Sequence, residues 1–235
     1  MFNLKQSSEA IHKPLYFYQS RFFYLLCSLV AYFIGSSFLS GSKTTNFINT
    51  ILLSFFIIIG IFPFIKQKVI SVLTPAVAIV ILCLHFTVIF IKQDESIFIA
   101  LYFACAIFLS LITFAVIYSI TQHQRITLDS LFGAICGYFL IGFSWTFFYM
   151  VIKVIYPESF PAHMLEGSMH DRTQHFFYFS FSTMTTLGYG DILPLTNVSR
   201  TFAWLEAVCG QIYLAVWISQ LVGLRIAQEI NETRS

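Results

Sequence analysis

Charged side chains are scarce in this chain of 235 residues, since Asp, Glu, Lys and Arg make up only 10% and hydrophobic residues 57%. A soluble domain usually carries about 25% charged residues, and large exposed apolar patches are rare on soluble monomers. The composition therefore argues against a soluble enzyme, a disordered regulator and a nucleic-acid-binding protein. A formal net charge of +2 is also too small to indicate a polyanionic partner.

The few charges leave long uncharged stretches between them. Five windows contain no Asp, Glu, Lys or Arg, and a sixth contains only Glu206. Each exceeds the roughly 20 residues that a helix needs to cross a bilayer. Helices are expected because lipid offers no partner to unpaired backbone groups. We predict an all-α membrane protein with six transmembrane helices per subunit, over residues 22–42, 44–65, 69–91, 96–124, 130–152 and 201–224.

Disulfide-forming cysteines are also lacking. The five cysteines all lie inside the predicted spans, and their odd number and position argue against a disulfide framework. The positive charges predict the orientation: with the N-terminus inside, the inner connections hold eight Lys and Arg residues and the outer connections five. This excess predicts a multi-pass protein of the cell membrane with both termini in the cytoplasm.

The connection between the fifth and sixth predicted spans is unusual. It runs over residues 156–200, and its middle, 173–186, is rich in Phe, Ser and Thr. That middle is too short to cross the bilayer, so we predict a re-entrant helix, with Asp171 or Thr173 as its cap. A glycine-containing loop follows, and Pro194 prevents a continuing helix.

The loop sequence Thr-Thr-Leu-Gly-Tyr-Gly-Asp at residues 185–191 resembles the selectivity filter of potassium channels. A dehydrated K⁺ needs a ring of backbone carbonyls in place of its water shell. Carbonyls that all point inward require alternating dihedrals, and Gly188 and Gly190 accept a positive φ at little cost. The ion-binding residues that the resemblance implies are Thr186, Leu187, Gly188, Tyr189 and Gly190, with K⁺ held at the first four.

Residues around this loop are expected to support it. We assign this role to Thr185 and Asp191 within the motif, to Ser182 behind it and to Glu206 in the sixth span. The C-terminal end of the re-entrant helix would direct about half a negative charge at a central cation. The resemblance implies a homotetramer around one axis, although Ser182 stands where some family members carry Glu.

The sixth span holds further candidates. Glu206 either tunes filter stability or proton sensitivity, or makes a structural hydrogen bond to a nearby hydroxyl such as that of Ser180, Ser182 or Thr183. Gly210 matches the family's helix hinge, but it equally suits close helix packing. Apolar residues then recur every four positions, as a hydrophobic gate or as ordinary packing. These gate candidates are Leu214, Ile218 and Val222.

The first four spans lack the charges of a voltage sensor, because residues 97–118 contain no Lys or Arg. We therefore expect little intrinsic voltage dependence. The predicted organisation is a cytoplasmic N-terminus (1–21), a four-span module without gating charges (22–125), an ion-conducting pore domain (126–228) and a short cytoplasmic C-terminus (229–235).

The function predicted from these observations is passive, K⁺-selective conduction by a homotetramer. K⁺ ions in the filter are expected instead of a cofactor, the partners are membrane lipids and identical subunits, and neither nucleic acid nor enzyme chemistry is expected. A weakly selective cation channel and a silent receptor or assembly subunit are the alternatives. Flux through the purified protein separates a channel from a silent subunit, and its reversal potential separates the two kinds of channel.

Overall fold

A computed structural model describes residues 21–38, 55–56, 59–60, 70–90, 95–122, 127–167 and 169–234. Within these ranges the protein is all-helical and contains no β-strand. Two short 3₁₀ helices, Pro157–Ser159 and Ala162–Leu165, follow the fourth long helix. The long helices are α1 (Arg21–Ser37), α2 (Ile70–Phe90), α3 (Glu95–Thr121), α4 (Leu128–Ile155), α5 (Met169–Met184) and α6 (Asn197–Arg234).

Three of the described helices are long and apolar enough to cross a membrane, namely Ser96–Thr121, Leu128–Ile155 and Asn197–Ala227. Two shorter apolar stretches, Arg21–Gly35 and Thr74–Thr87, lie in α1 and α2. The protein is therefore a helical membrane protein. Most of the second predicted span, 44–65, lies outside the described residues, so the count of six spans stays a prediction.

Helix α4 begins where the local sequence can satisfy its free backbone donors. The Thr127 side chain caps the helix and accepts a hydrogen bond from the Ser130 amide at 3.1 Å. Asp129, in the first turn, accepts another from the Phe22 amide at 3.0 Å. The same acidic side chain therefore suits the positive end of the α4 dipole and fastens the start of α1 to it.

Helix α4 is the centre of the fold and packs against α1, α3, α5 and α6. An aromatic cluster joins three of these helices. The Phe33 ring of α1 lies 4.4 Å from that of Phe143 on α4, and Phe143 meets Phe177 of α5 edge-to-face at 4.6 Å. Such edge-to-face contacts add to the energy of apolar burial. This packing sets the position of α5, which leads into the motif at residues 185–191.

Candidate functional site

The motif folds back onto the end of α5. The Thr185 amide donates to the Phe181 carbonyl and the Thr186 amide to the Thr183 carbonyl, both at 3.0 Å. Beyond them, the Gly188 amide donates to the Ser182 carbonyl at 3.1 Å. Ser182, chosen from the sequence as filter support, thus contacts the motif through its backbone. These bonds use carbonyls that would otherwise be unpaired at the helix end.

The backbone of the motif alternates between left-handed and ordinary conformations. Thr186 has φ 61°, Gly188 has φ 54° and Gly190 has φ 82°. A positive φ was expected for the two glycines, but a threonine in this region is uncommon and was not predicted. No neighbouring atom lies within 4 Å of where a Cβ would sit at either glycine. Backbone conformation, and not crowding, is therefore the reason for glycine at these positions.

The motif's tyrosine is held from the same chain. The Tyr189 ring lies parallel to that of Tyr178 on α5, with centroids 6.3 Å apart and an interplanar angle of 1°. The Tyr178 hydroxyl donates a hydrogen bond to the carboxylate of Asp191. This bond lowers the pKa of Asp191 and raises the pKa of Tyr178. Tyr178 therefore contacts two motif residues, and the sequence interpretation had missed it.

Glu206 lies fully buried where three helices meet. Its Oε2 accepts a hydrogen bond from the Tyr149 hydroxyl of α4 at 2.6 Å, and its Oε1 lies 2.5 Å from the Ser180 hydroxyl of α5. Ser180 also donates to the Gly142 carbonyl of α4 at 2.8 Å. Ser180 was among the expected partners, whereas Tyr149 was not. Its sequence signal, a hydroxyl on an otherwise apolar helix, was too weak to single it out.

A buried lysine lies near the C-terminal end of α4. The Nζ of Lys153, a residue only 2% exposed, donates to the Pro157 carbonyl and, at 2.6 Å, to the Phe160 carbonyl. Lys153 entered the sequence interpretation only as a charge in the orientation count. These hydrogen bonds pair two carbonyls of the loop that leads away from α4 and hold that loop against the helix.

The same loop is joined to the chain beyond the motif. The Ser159 carbonyl accepts hydrogen bonds from the Leu195 amide and the Ser199 hydroxyl, both at 2.9 Å. Ser199 lies in the first turn of α6, where the Thr196 side chain accepts from its amide at 3.3 Å. The loop after α4, the residues after the motif and the start of α6 are therefore one connected unit, which we call the loop strap (Lys153, 157–160 and 195–199).

Helix α6 contacts the end of α5 at Gly210. A Cβ there would lie 2.8 Å from the Met184 carbonyl oxygen and 2.6 Å from its Cγ, so the glycine permits close packing. Further along α6, the Tyr213 hydroxyl donates to the Ala134 carbonyl of α4 at 2.6 Å. Gly210 thus occupies a packing position, and its role as a hinge stays a prediction.

The gate candidates share one exposed face of α6 in the single chain. Leu214 is 37%, Val222 53% and Ile218 60% exposed. Only 18% of the most apolar stretch of α6 is buried within the chain, against 61% for α4. Most of the apolar surface of α6 is therefore free to contact lipid, water or other subunits.

Metal-ligating side chains do not converge at another point among the described residues. Within the described ranges, no three His, Cys, Asp or Glu side chains are placed to hold a metal ion together. The cluster of His163 and His175 before the motif is an edge-to-face ring pair with centroids 6.0 Å apart. The oxygen-rich motif at residues 185–191 is therefore the best candidate site for a cation in the described chain.

Comparison with known proteins relates this part of the chain to ion channels. A protein family described as "Ion channel" matches residues 112–224, which include α4, α5, the motif and most of α6. The inward rectifier potassium channel Kirbac3.1 of Paramagnetospirillum magnetotacticum is 31% identical over 86 residues. That match covers 33% of this chain and 29% of the relative's length. The search of solved structures found no significant match. Together, the ion channel match and the bacterial relative support a potassium channel family for this membrane protein.

Proposed function

We propose that this protein is a K⁺-selective channel in which residues 185–191 form the selectivity filter. The observation that carries the proposal is the alternation of positive φ at Thr186, Gly188 and Gly190, directly behind the end of α5. This alternation suits a loop that lines up successive carbonyls to replace the hydration shell of an ion. In this proposal K⁺ binds at Thr186, Leu187, Gly188 and Tyr189, with Gly190 completing the filter.

A homotetramer is part of the proposal because one loop cannot surround an ion. Leu187 is 59% and Tyr189 68% exposed in the single chain, and α6 leaves most of its apolar face uncovered. Four copies around an axis would bring four loops together and cover α6 at the same time. Leu214, Ile218 and Val222 would then lie toward the inner mouth, as a gate or as packing.

The wider arrangement follows from the sequence. We propose six spans per subunit in the cell membrane, both termini in the cytoplasm and a re-entrant α5 between the last two spans. Conduction is passive and needs no catalytic group, and the only bound cofactors proposed are K⁺ ions. The first four spans contact lipid and carry no gating charge, and no nucleic acid is involved.

The alternatives are a weakly selective cation channel and a silent receptor or assembly subunit. The resemblance covers every position of the Thr186–Gly190 run except for Leu187, where many family members have Val. This nearly complete match argues against a weakly selective channel, whose filter would lack one of the ordered ion sites. The uncharged first module favours the silent subunit, because it offers no recognisable sensor. Both alternatives are tested by the same recording.

The test is reconstitution of the purified protein into planar bilayers with opposed K⁺ and Na⁺ gradients. We expect current that reverses near the K⁺ equilibrium potential. Reversal near zero would indicate a weakly selective channel, and a silent bilayer would favour the assembly subunit. Gly188→Ala should remove the selectivity because Ala tolerates φ 54° poorly. Gly223→Ala, where a Cβ meets nothing within 4 Å, is the matched control.

A further inference from the structure

The hydrogen atoms around Glu206 can be counted. A serine hydroxyl has one hydrogen to donate, and a carbonyl oxygen can only accept. The Ser180 Oγ nevertheless lies within hydrogen-bond distance of two oxygens, the Gly142 carbonyl at 2.8 Å and Glu206 Oε1 at 2.5 Å. If Ser180 donates to Gly142, the hydrogen between Ser180 and Glu206 must come from the carboxyl group itself.

The surroundings of Glu206 favour this neutral form. Its side chain is fully buried, and within the part of the chain that the structure describes no Lys, Arg or His forms an ion pair with it. The titratable groups that face it are the hydroxyls of Tyr149 and Tyr138 on α4, while α5 contributes the non-titrating Ser180. A buried carboxylate without a cation is costly, because its lost hydration is not replaced.

We propose that Glu206 carries a proton in the resting protein and that losing this proton loosens the attachment of α5 behind the filter. In the protonated form, Tyr149 donates to Oε2, Oε1–H donates to Ser180, and Ser180 donates to Gly142. Each hydrogen in this series of hydrogen bonds has one acceptor, and no charge is buried. This inference rests on the proposed function, since α5 leads into the proposed filter.

Deprotonation of Glu206 rearranges the same series of hydrogen bonds in a defined way. The Ser180 hydrogen must then turn from the Gly142 carbonyl to Glu206 Oε1, so the bond between Ser180 and Glu206 persists with its direction reversed and α5 loses its Ser180 bond to α4. Gly142 keeps a donor, because the Thr146 hydroxyl lies 2.9 Å from its carbonyl. Ser180 lies two residues before Ser182, whose carbonyl accepts from the Gly188 amide. Alkaline pH therefore acts on α5 close to the point where it holds the filter.

Infrared spectroscopy of the purified full-length protein tests the proton directly. We expect a protonated carboxylic acid band at neutral pH that disappears in Glu206→Gln and persists in Glu158→Gln, an exposed control. Tyr149→Phe provides a second assignment should Glu206→Gln fail to fold, because removing the donor to Oε2 should shift the same band to higher frequency. Absence of the band from the native protein at neutral pH would overturn the proposal.

Bilayer recording tests the consequence. We expect the K⁺ over Na⁺ permeability ratio of the native protein to fall roughly fivefold from neutral to alkaline pH. This is the factor that corresponds to the loss of one hydrogen bond. Glu206→Gln should show a flat pH profile, since an amide N–H replaces the acid O–H toward Ser180 and the amide oxygen still accepts from Tyr149. Equal pH profiles for the two proteins would refute the pH effect. Failure of every variant to conduct K⁺ would instead refute the proposed function, and the infrared band would still report the proton.

Discussion

Single side chains outside the motif at residues 185–191 make the contacts that surround it. Tyr178 stacks on Tyr189 and bonds to Asp191, whereas Glu206 joins three helices behind the motif. Lys153 satisfies the carbonyls of the loop after α4. Each of these residues positions its partner through a direct contact. Their removal should therefore change the conformation of the proposed filter without changing its sequence.

Tyr178→Phe should make the proposed filter respond to acid at a higher pH than the native protein does. The Tyr178 bond lowers the pKa of Asp191 from its ordinary value of 3.8. The contact is therefore complete above the ordinary value and is lost only as pH falls through the lowered pKa. Without the hydroxyl, the pKa of Asp191 returns toward 3.8, and we expect acid inhibition of K⁺ flux to begin at higher pH. Identical acid profiles for the two proteins would contradict this role of Tyr178.

Lys153→Met should destabilise the loop strap. The Phe160 carbonyl would remain buried without its donor, which costs about 1–3 kcal/mol of unfolding free energy. Arg200→Met is the matched control, because Arg200 also donates to a proline carbonyl, that of Pro194, but from an exposed position. Its effect should stay within about 0.5 kcal/mol. Thermal unfolding in detergent measures both, and equal losses would show that burial of Lys153 is unimportant.

Whole helices differ in how completely the chain itself covers them. Helix α4 is largely buried, whereas α6 is mostly exposed along its apolar stretch. The contacts that α6 does make are specific, with Gly210 against Met184 and Tyr213 bonded to Ala134. A helix held at a few points along one face can still contact other subunits along the rest. Such an arrangement suits the proposed homotetramer, in which α6 would contact other subunits.

Gly210→Ala tests the close contact between α6 and α5. The added methyl group would meet the backbone carbonyl of Met184 at 2.8 Å, and overpacking of this kind costs about 1–3 kcal/mol. Gly223→Ala on the same helix meets nothing within 4 Å, so it should gain up to about 1 kcal/mol of helix propensity. Thermal unfolding distinguishes them. Equal stabilities would mean that α6 moves away from Met184 without cost.

For the molecule as a whole, the distribution of charge bears on gating. Helix α3 contains no charged residue between Ser96 and Thr121. A charge that moves through a field of about 100 mV gains about 2.3 kcal/mol, so an uncharged helix segment gains nothing. We therefore expect helix α3 to contribute no gating charge to a response to membrane potential.

A voltage sweep of the reconstituted protein checks this expectation. Open probability should vary less than about twofold between about −100 and +100 mV, because no gating charge crosses the field. Symmetric K⁺ on both sides removes any contribution of the gradient to the shape of the curve. A steep, sigmoidal dependence of open probability on voltage would show that charges outside the first module sense the field.

The sequence by itself determined the membrane setting and the motif. Both are local properties, since uncharged windows follow from composition and the need for a positive φ at Gly188 and Gly190 follows from the missing Cβ. The start of α4 is equally local, as the Thr127 cap shows. The spans at 96–124 and 130–152 agree with α3 and α4 to within a few residues.

Only the tertiary structure decided which side chains meet across helices. Tyr149 and Glu206 are 57 residues apart in the sequence, and Tyr213 and Ala134 are 79 apart. Contacts of this kind depend on the rotation and axial offset of each helix. Almost uniformly apolar helices encode neither, because no polar face marks the side that turns inward. The proposed protonation of Glu206 can therefore be inferred only from the tertiary structure, in which α4, α5 and α6 meet around this side chain.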